Sequence, residues 1–167
     1  ALEIMEDLPD VETVLVPIGG GGLISGISTA IKESRPDVRV VGVQAAASCP
    51  YYVSRQKGYP SEAPILPTVA DGLSCRQPGE NTYPIIEKYV DEIVIVEEED
   101  ILKAVRSVAH GAKLVAEPSA CVGIAAMLSG RVKMRPDEKV CTVLTSGNWD
   151  IDTIGKIFKG EHVEGVL

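Results

Sequence analysis

The chain is organised around the stretch Val14-Leu15-Val16-Pro17-Ile18-Gly19-Gly20-Gly21-Gly22-Leu23-Ile24-Ser25-Gly26. Its first five residues are apolar and rich in β-branched side chains, which is typical of a strand covered on both faces. From Leu23 the apolar residues recur at helical spacing. The pattern therefore predicts a buried strand, a glycine loop and a helix in direct succession.

The four consecutive glycines predict a binding site for an anion, and phosphate above all. Glycine has no Cβ, so another group can approach the backbone N–H bonds closely. The helix that follows adds unpaired amides and the positive end of its dipole. No Walker A Lys-Ser or Lys-Thr follows the loop, and Gln44 stands where a dinucleotide-binding unit has an acidic residue. Taken alone, the glycines also fit a flexible turn between two elements.

Length and composition predict one acidic globular domain, residues 1–167. A net charge of −8 without a basic patch disfavours nucleic-acid binding, and no apolar run is long enough to cross a membrane. The four cysteines, Cys49, Cys75, Cys121 and Cys141, form no Cys-x-x-Cys pair. That spacing disfavours a zinc or thioredoxin-type site and favours a cytoplasmic protein with reduced thiols.

Strand and helix patterns alternate along the rest of the chain. Strands are predicted at 13–17, 38–44, 92–96 and 139–144, and helices at 1–8, 23–34, about 50–56, 81–90, from about 101, 118–128 and 150–159. Residues 58–80 read as a long surface loop. This order predicts an α/β fold with a mainly parallel sheet flanked by helices. Ligands of such sheets bind at the carboxyl ends of strands, where the glycine loop and Thr145-Ser146-Gly147-Asn148 are expected.

Four motifs together resemble one family of enzymes. They are, in order, V-P-x-G-G-G-G-L-x-S-G, A-D-G in a proline-rich loop, A-E-P-S-A before a small-residue helix, and a strand ending near S-G-N. This combination resembles the pyridoxal-phosphate enzymes of the threonine dehydratase and serine racemase type. The resemblance implies that the sheet is the larger part of a tryptophan-synthase-β-like fold. It also implies pyridoxal 5'-phosphate as the cofactor.

The resemblance also implies a role for individual residues. The cofactor phosphate would be held by Gly19, Gly20, Gly21, Gly22 and the Leu23 amide.

On the ring side, Thr145 would hydrogen-bond the pyridine nitrogen and Gly72 would bring its backbone near the ring. Glu117 would be the catalytic carboxylate, with a role in orientation or proton movement. The alternative for Glu117 is an N-cap of the 118–128 helix, and the residues alone leave both open.

The chain departs from the family at three places. A cation site of the form E-x-x-x-(A/G)-x-D is not predicted, because Gln44, Ser48 and Pro50 occupy its positions. Ser146 replaces the middle glycine of the last loop. The Schiff-base lysine of the family lies in S-x-K-x-R-G, and no lysine here has that context. We therefore expect a fragment that lacks the N-terminal part and is inactive by itself.

The function implied by the resemblance is a threonine or serine dehydratase, an ammonia-lyase that gives a 2-oxo acid and ammonia. The substrate would be a small hydroxy-amino acid, and a homo-oligomer is expected. Two alternatives stay open: a serine racemase-like reaction, and a non-catalytic α/β module that binds a phosphorylated small molecule.

Overall fold

The four strands form one parallel sheet in the computed structural model, which describes residues 1–161 and 163. The strands are β1 (Thr13–Pro17), β2 (Arg39–Ala45), β3 (Glu92–Val96) and β4 (Val140–Thr142), in the order β3-β2-β1-β4. The α/β prediction is confirmed, with β1 and β2 central and β3 and β4 at the edges. The end of the predicted domain, residues 162 and 164–167, lies outside the described residues.

The last strand is shorter than the predicted 139–144, and Pro17 explains why. Among the described strands, β4 pairs only with β1, in a register that sets Leu15 opposite Thr142. Ile18 donates its amide to Val43 on the β2 side, so the preceding nitrogen, that of Pro17, faces β4. Proline has no amide hydrogen, and the ladder to β4 ends there.

The helices that flank the sheet agree with the predicted order. They are α1 (Leu2–Asp7), α2 (Gly22–Ser34), α3 (Pro50–Lys57), α4 (Thr82–Tyr89), α5 (Glu98–Ser107), α6 (Pro118–Leu128) and α7 (Ile151–Lys159). A π-helical turn, Val108–Ala112, extends α5, and a short 3-10 turn, Asp71–Leu73, lies inside the predicted loop. Among the described residues, no helix has both the length and the apolar character that a membrane span requires.

Both faces of the sheet are buried, as the sequence predicts. Alternate residues of β1 point in opposite directions, so Val14 and Val16 pack with α2 while Leu15 packs with α5 and α6. Helix α6 approaches the sheet closely because residue 123 is glycine. An ideal Cβ on Gly123 would lie 2.0 Å from Thr142 Oγ1.

The parallel arrangement decides where the loops lie. β1 and β4 are neighbours that run in the same direction. The segments after them therefore emerge at one edge of the sheet, the one formed by the carboxyl ends of the strands. That edge carries the glycine loop and the predicted 145–148 loop.

Candidate functional site

The glycine loop joins β1 to α2 and leaves a row of amides unpaired. Gly21 has φ +86°, a left-handed conformation that favours glycine, and it precedes the first residue of α2. Ideal Cβ atoms on Gly20 and Gly22 would meet no atom within 4 Å, so the loop is open there. Within the described part of the chain, the amides of residues 19–24 donate no hydrogen bond. An anion would satisfy these donors.

Two side-chain hydroxyl groups hydrogen-bond the glycine loop at the Gly20 carbonyl. Tyr51 of α3 is completely buried, and its hydroxyl donates to the Gly20 carbonyl at 2.8 Å. Thr82 Oγ1, at the start of α4, lies 2.5 Å from Tyr51 Oη and 3.1 Å from the Gly20 oxygen. The Gly79 amide donates to Tyr51 Oη at 3.0 Å.

The sequence alone does not predict this network. Tyr51 and Thr82 belong to other helices, 31 and 62 residues beyond Gly20, and no local pattern marks them.

The Asp71–Leu73 turn fits between the glycine loop and the start of α6. An ideal Cβ on Gly19 would lie 3.3 Å from the Gly72 carbonyl oxygen and 3.3 Å from Leu73 Cα. On the other side, an ideal Cβ on Gly72 would lie 2.9 Å from Ser119 Oγ and 3.2 Å from Glu117 Oε1. The fold therefore brings three of the predicted site residues, Gly19, Gly72 and Glu117, into one continuous surface.

Glu117 occupies the N-cap position of α6, but its side chain makes no capping hydrogen bond. Instead, Glu117 Oε2 accepts the amide of Asn148 at 3.0 Å, and the Glu117 amide donates to the Ser146 carbonyl at 3.2 Å. The carboxylate thus ties the loop after β4 to the start of α6. Its other oxygen, Oε1, faces Gly72.

The loop after β4 presents Thr145 at the same edge of the sheet. Thr145 is exposed, and within residues 1–161 and 163 its Oγ1 has one weak contact, 3.4 Å to Ser146 Oγ, so the hydroxyl can bind another ligand. An ideal Cβ on Gly147 would lie 3.1 Å from the Val115 carbonyl oxygen, which shows how closely this loop follows the segment before α6. Leu23, in the first turn of α2, is 45% exposed.

Ser119 and Cys121 of α6 were not predicted as site residues. Ser119 Oγ is buried beside Gly72 and has no hydrogen-bond partner within the described residues. Burial, followed by the negative charge of Glu117, raises the pKa of the Cys121 thiol to about 11. Cys121 therefore stays protonated at neutral pH and is not a nucleophile.

Two of the positions that a family cation site would occupy have structural roles in this chain. Gln44 is buried, and its Oε1 accepts the amide of Tyr52, so the side chain caps the start of α3. Ser48 Oγ donates to the Cys75 carbonyl and accepts the Cys75 amide. Across residues 1–161 and 163, no three His, Cys, Asp or Glu side chains are grouped as a metal site.

A cavity of about 600 Å³ lies elsewhere, at the amino ends of the strands. Arg135 and Arg39 line it, and both pair with carboxylates, Glu12 and Glu92. These charges satisfy one another. The unpaired donors of the glycine loop mark the opposite edge as the candidate site.

The sequence matches a known protein family over most of its length. The family described as "Pyridoxal-phosphate dependent enzyme" matches residues 1–146. The chain belongs to this family of enzymes.

Within this family, the chain is similar to threonine ammonia-lyases and serine racemases. An L-threonine ammonia-lyase of Geobacter sulfurreducens is 47% identical over 156 residues, which is 93% of this chain and 39% of the relative. Maize serine racemase superposes with a TM-score of 0.86 at 31% identity, over 95% of this chain and 49% of that one. The processed form of threonine deaminase isoform 2 from Solanum lycopersicum gives a TM-score of 0.86 at 26% identity, over 95% of this chain and 46% of that one. The chain thus spans about two fifths of the length of the first of these relatives, and the predicted resemblance is confirmed.

The residues present fit the phosphate of pyridoxal phosphate, the cofactor of the family. A phosphate needs several donors and room for close approach, and the glycine loop offers unpaired amides at the start of a helix together with two open glycines. The helix is long enough, with 13 residues, to carry a dipole toward the loop.

Proposed function

We propose that this chain supplies the cofactor-binding half of a threonine or serine ammonia-lyase, which releases a 2-oxo acid and ammonia. The observation that carries the proposal is the row of unpaired amides after β1, contiguous with Gly72 and Glu117. The similarity to a protein named L-threonine ammonia-lyase supports the choice of substrate class.

The phosphate of the cofactor is proposed to bind the amides of Gly19, Gly20, Gly21, Gly22 and Leu23. All five lie between the end of β1 and the first turn of α2, and none is used within the described part of the chain. The dipole of α2 adds partial positive charge at the same point.

The ring is proposed to lie between Gly72 and Thr145. Gly72 has no side chain, which leaves its backbone accessible beside Glu117, and Thr145 offers a hydroxyl that is free to donate. Pyridoxal phosphate, when bound, withdraws electrons from the amino-acid Cα and so eases loss of its proton. A neutral hydroxyl at the ring nitrogen leaves that nitrogen largely unprotonated, which suits elimination, because the leaving β-hydroxyl carries electrons away.

Glu117 is proposed as the carboxylate that orients or moves a proton beside the reacting atoms. The Asn148 amide fixes Oε2, which leaves Oε1 toward Gly72. A carboxylate held on one oxygen keeps the other in place as an acceptor.

Racemisation of serine is the second candidate, supported by the similarity to maize serine racemase. Both reactions begin with loss of the Cα proton, so the residues of this chain serve either. The proposal also includes a cytoplasmic location, favoured by four free cysteines, and a homo-oligomeric state that light scattering would measure.

The test uses the longer protein that contains this chain, supplied with pyridoxal phosphate and L-threonine or L-serine. We expect 2-oxo acid and ammonia in equal amounts, with little D-serine. Glu117→Gln keeps the acceptor oxygen for Asn148 but removes the negative charge, and we expect its kcat to fall by about 100-fold. D-serine as the main product would transfer the proposal to the racemase. The absence of any product, with phosphate binding retained, would favour the non-catalytic module.

The 167-residue chain alone provides a second arm of the test. No lysine of the chain stands in the S-x-K-x-R-G context. We expect no turnover by the isolated chain, and measurable turnover would contradict this part of the proposal.

A further inference from the structure

We propose that Tyr51 and Thr82 are positioning residues that orient the Gly20–Gly21 peptide, so that the Gly21 N–H faces the bound phosphate. This inference rests on the proposed function of the glycine loop and adds two side chains outside it. Neither touches the phosphate. They act through the one carbonyl that both contact.

The Gly20–Gly21 peptide unit fixes the direction of the Gly21 N–H. The carbonyl oxygen of Gly20 and the N–H of Gly21 belong to one planar unit, and no cis peptide is present in the described residues. In a trans unit these two groups point in opposite directions. The Gly20 oxygen points at Tyr51 Oη, 2.8 Å away, and at Thr82 Oγ1, 3.1 Å away. The Gly21 N–H therefore points away from the two hydroxyls, and it donates no hydrogen bond within the described part of the chain.

The Tyr51 and Thr82 hydroxyls both have a hydrogen that can reach the Gly20 carbonyl. Tyr51 Oη accepts the Gly79 amide at 3.0 Å, so its single hydrogen is free for the Gly20 oxygen. Thr82 Oγ1 lies 2.5 Å from Tyr51 Oη and is the second hydroxyl within hydrogen-bond distance of the Gly20 oxygen. Tyr51 is fully buried, so packing fixes its ring and holds the hydroxyl in place.

The flexibility of the two glycines explains why the Gly20–Gly21 peptide needs hydrogen bonds to hold its orientation. Glycines on both sides allow the peptide between them to rotate by half a turn at little steric cost. A rotated unit would direct the Gly20 oxygen toward the anion and remove the Gly21 donor. The hydroxyl pair prevents this rotation. The space behind the loop is closed as well, since an ideal Cβ on Gly21 would lie 2.5 Å from Tyr51 Oη.

The test compares two ligands that differ only in the phosphate, pyridoxine 5'-phosphate and pyridoxine. Neither has an aldehyde, so lysine chemistry does not contribute. Calorimetry on the cofactor-free form of the longer protein measures Kd for both. For Tyr51→Phe and Thr82→Val we expect the phosphorylated ligand to bind about 10-fold more weakly, the effect of losing one charge-assisted hydrogen bond. Pyridoxine itself should change less than twofold.

Matched variants separate positioning from packing. Thr82→Ser keeps the hydroxyl and should retain the parent ratio of the two Kd values. Tyr89→Phe removes a tyrosine hydroxyl that contacts Glu33 on the surface, and it should also leave the ratio unchanged. If Tyr51→Phe fails to fold, the Thr82→Val and Thr82→Ser pair still decides.

The outcomes distinguish the two proposals. A parent protein that binds both ligands equally well contradicts the phosphate site itself, and with it the proposed function. A parent that prefers the phosphorylated ligand, with the same preference in Thr82→Val and Tyr51→Phe, overturns only the positioning role. Equal weakening of both ligands in these variants would likewise reduce Tyr51 and Thr82 to packing residues.

Discussion

Replacing Gly72 with alanine tests whether the three loops of the candidate site interlock as described. The added Cβ would lie 2.9 Å from Ser119 Oγ and 3.2 Å from Glu117 Oε1, closer than the roughly 3.5–4.0 Å of a normal contact. Overpacking of this kind costs about 1–3 kcal/mol of unfolding free energy. Alanine also lowers the conformational entropy of the unfolded chain, which raises the unfolding free energy by about 0.4–1 kcal/mol. We therefore expect a net destabilisation of about 1–2 kcal/mol.

Ser119→Ala supplies the second side of a double-mutant cycle. It removes a buried hydroxyl that has no partner in the described residues, so by itself it should change stability by about zero. In its presence the nearest obstacle to the new Cβ is gone. The cost of Gly72→Ala should then fall by about 1 kcal/mol, which exceeds the scatter expected for independent sites.

Urea unfolding of the four proteins measures the cycle. Gly26→Ala, in the middle of α2 with open space around its Cβ, is the matched control and should raise stability by about 0.5–1 kcal/mol. Simple additivity of Gly72→Ala and Ser119→Ala would refute the interlocked geometry.

The helices around the site supply three further predictions. Gly123→Ala should destabilise the protein by about 1–3 kcal/mol in urea, because its Cβ would meet Thr142 Oγ1, and Thr142→Ala should restore most of the loss. Cys121 should react with iodoacetamide about 100-fold more slowly at pH 8 than a thiol with the reference pKa of 9.0, because burial raises its pKa to about 11; equal labelling rates in native and urea-unfolded protein would contradict this. Asp150 accepts the Thr153 amide as the N-cap of α7, and that hydrogen bond lowers the pKa of the carboxyl below its usual 3.8. The stabilisation by the charged cap should be complete above about pH 5 and disappear as pH falls through the lowered pKa, whereas Asp150→Asn should not show this acid-dependent loss; parallel pH profiles of unfolding would argue against it.

The local part of the site was predictable from the residues. The limits of β1 and β3 and the start of α6 agree with the predicted ranges, because strand and helix patterns reflect contacts over a few residues. The prediction of an anion site rests on the glycines and the helix after them, which are local features as well. Strand 139–144 was predicted too long, since its end depends on what its neighbour Pro17 can donate.

The hydrogen-bond partner of the Glu117 side chain could not be predicted from neighbouring residues. Its position before Pro118 is compatible with an N-cap, and only the folded chain shows its oxygen bound to the Asn148 amide. Tyr51 and Thr82 carried no signal at all, because they reach Gly20 from helices distant in sequence.

Local sequence patterns were enough to predict the alternation of strands and helices, an anion site at Gly19–Gly22 and the resemblance to the pyridoxal-phosphate enzymes. These properties depend on periodicity, on backbone freedom and on motifs read within short windows. The folded chain was needed to show that β1 and β4 are neighbours, that Gly72 lies between Gly19 and Glu117, and that two hydroxyls contact the Gly20 carbonyl. The physical reason is that strand order and loop contacts join residues tens of positions apart, and local propensities carry no information about which of them will meet.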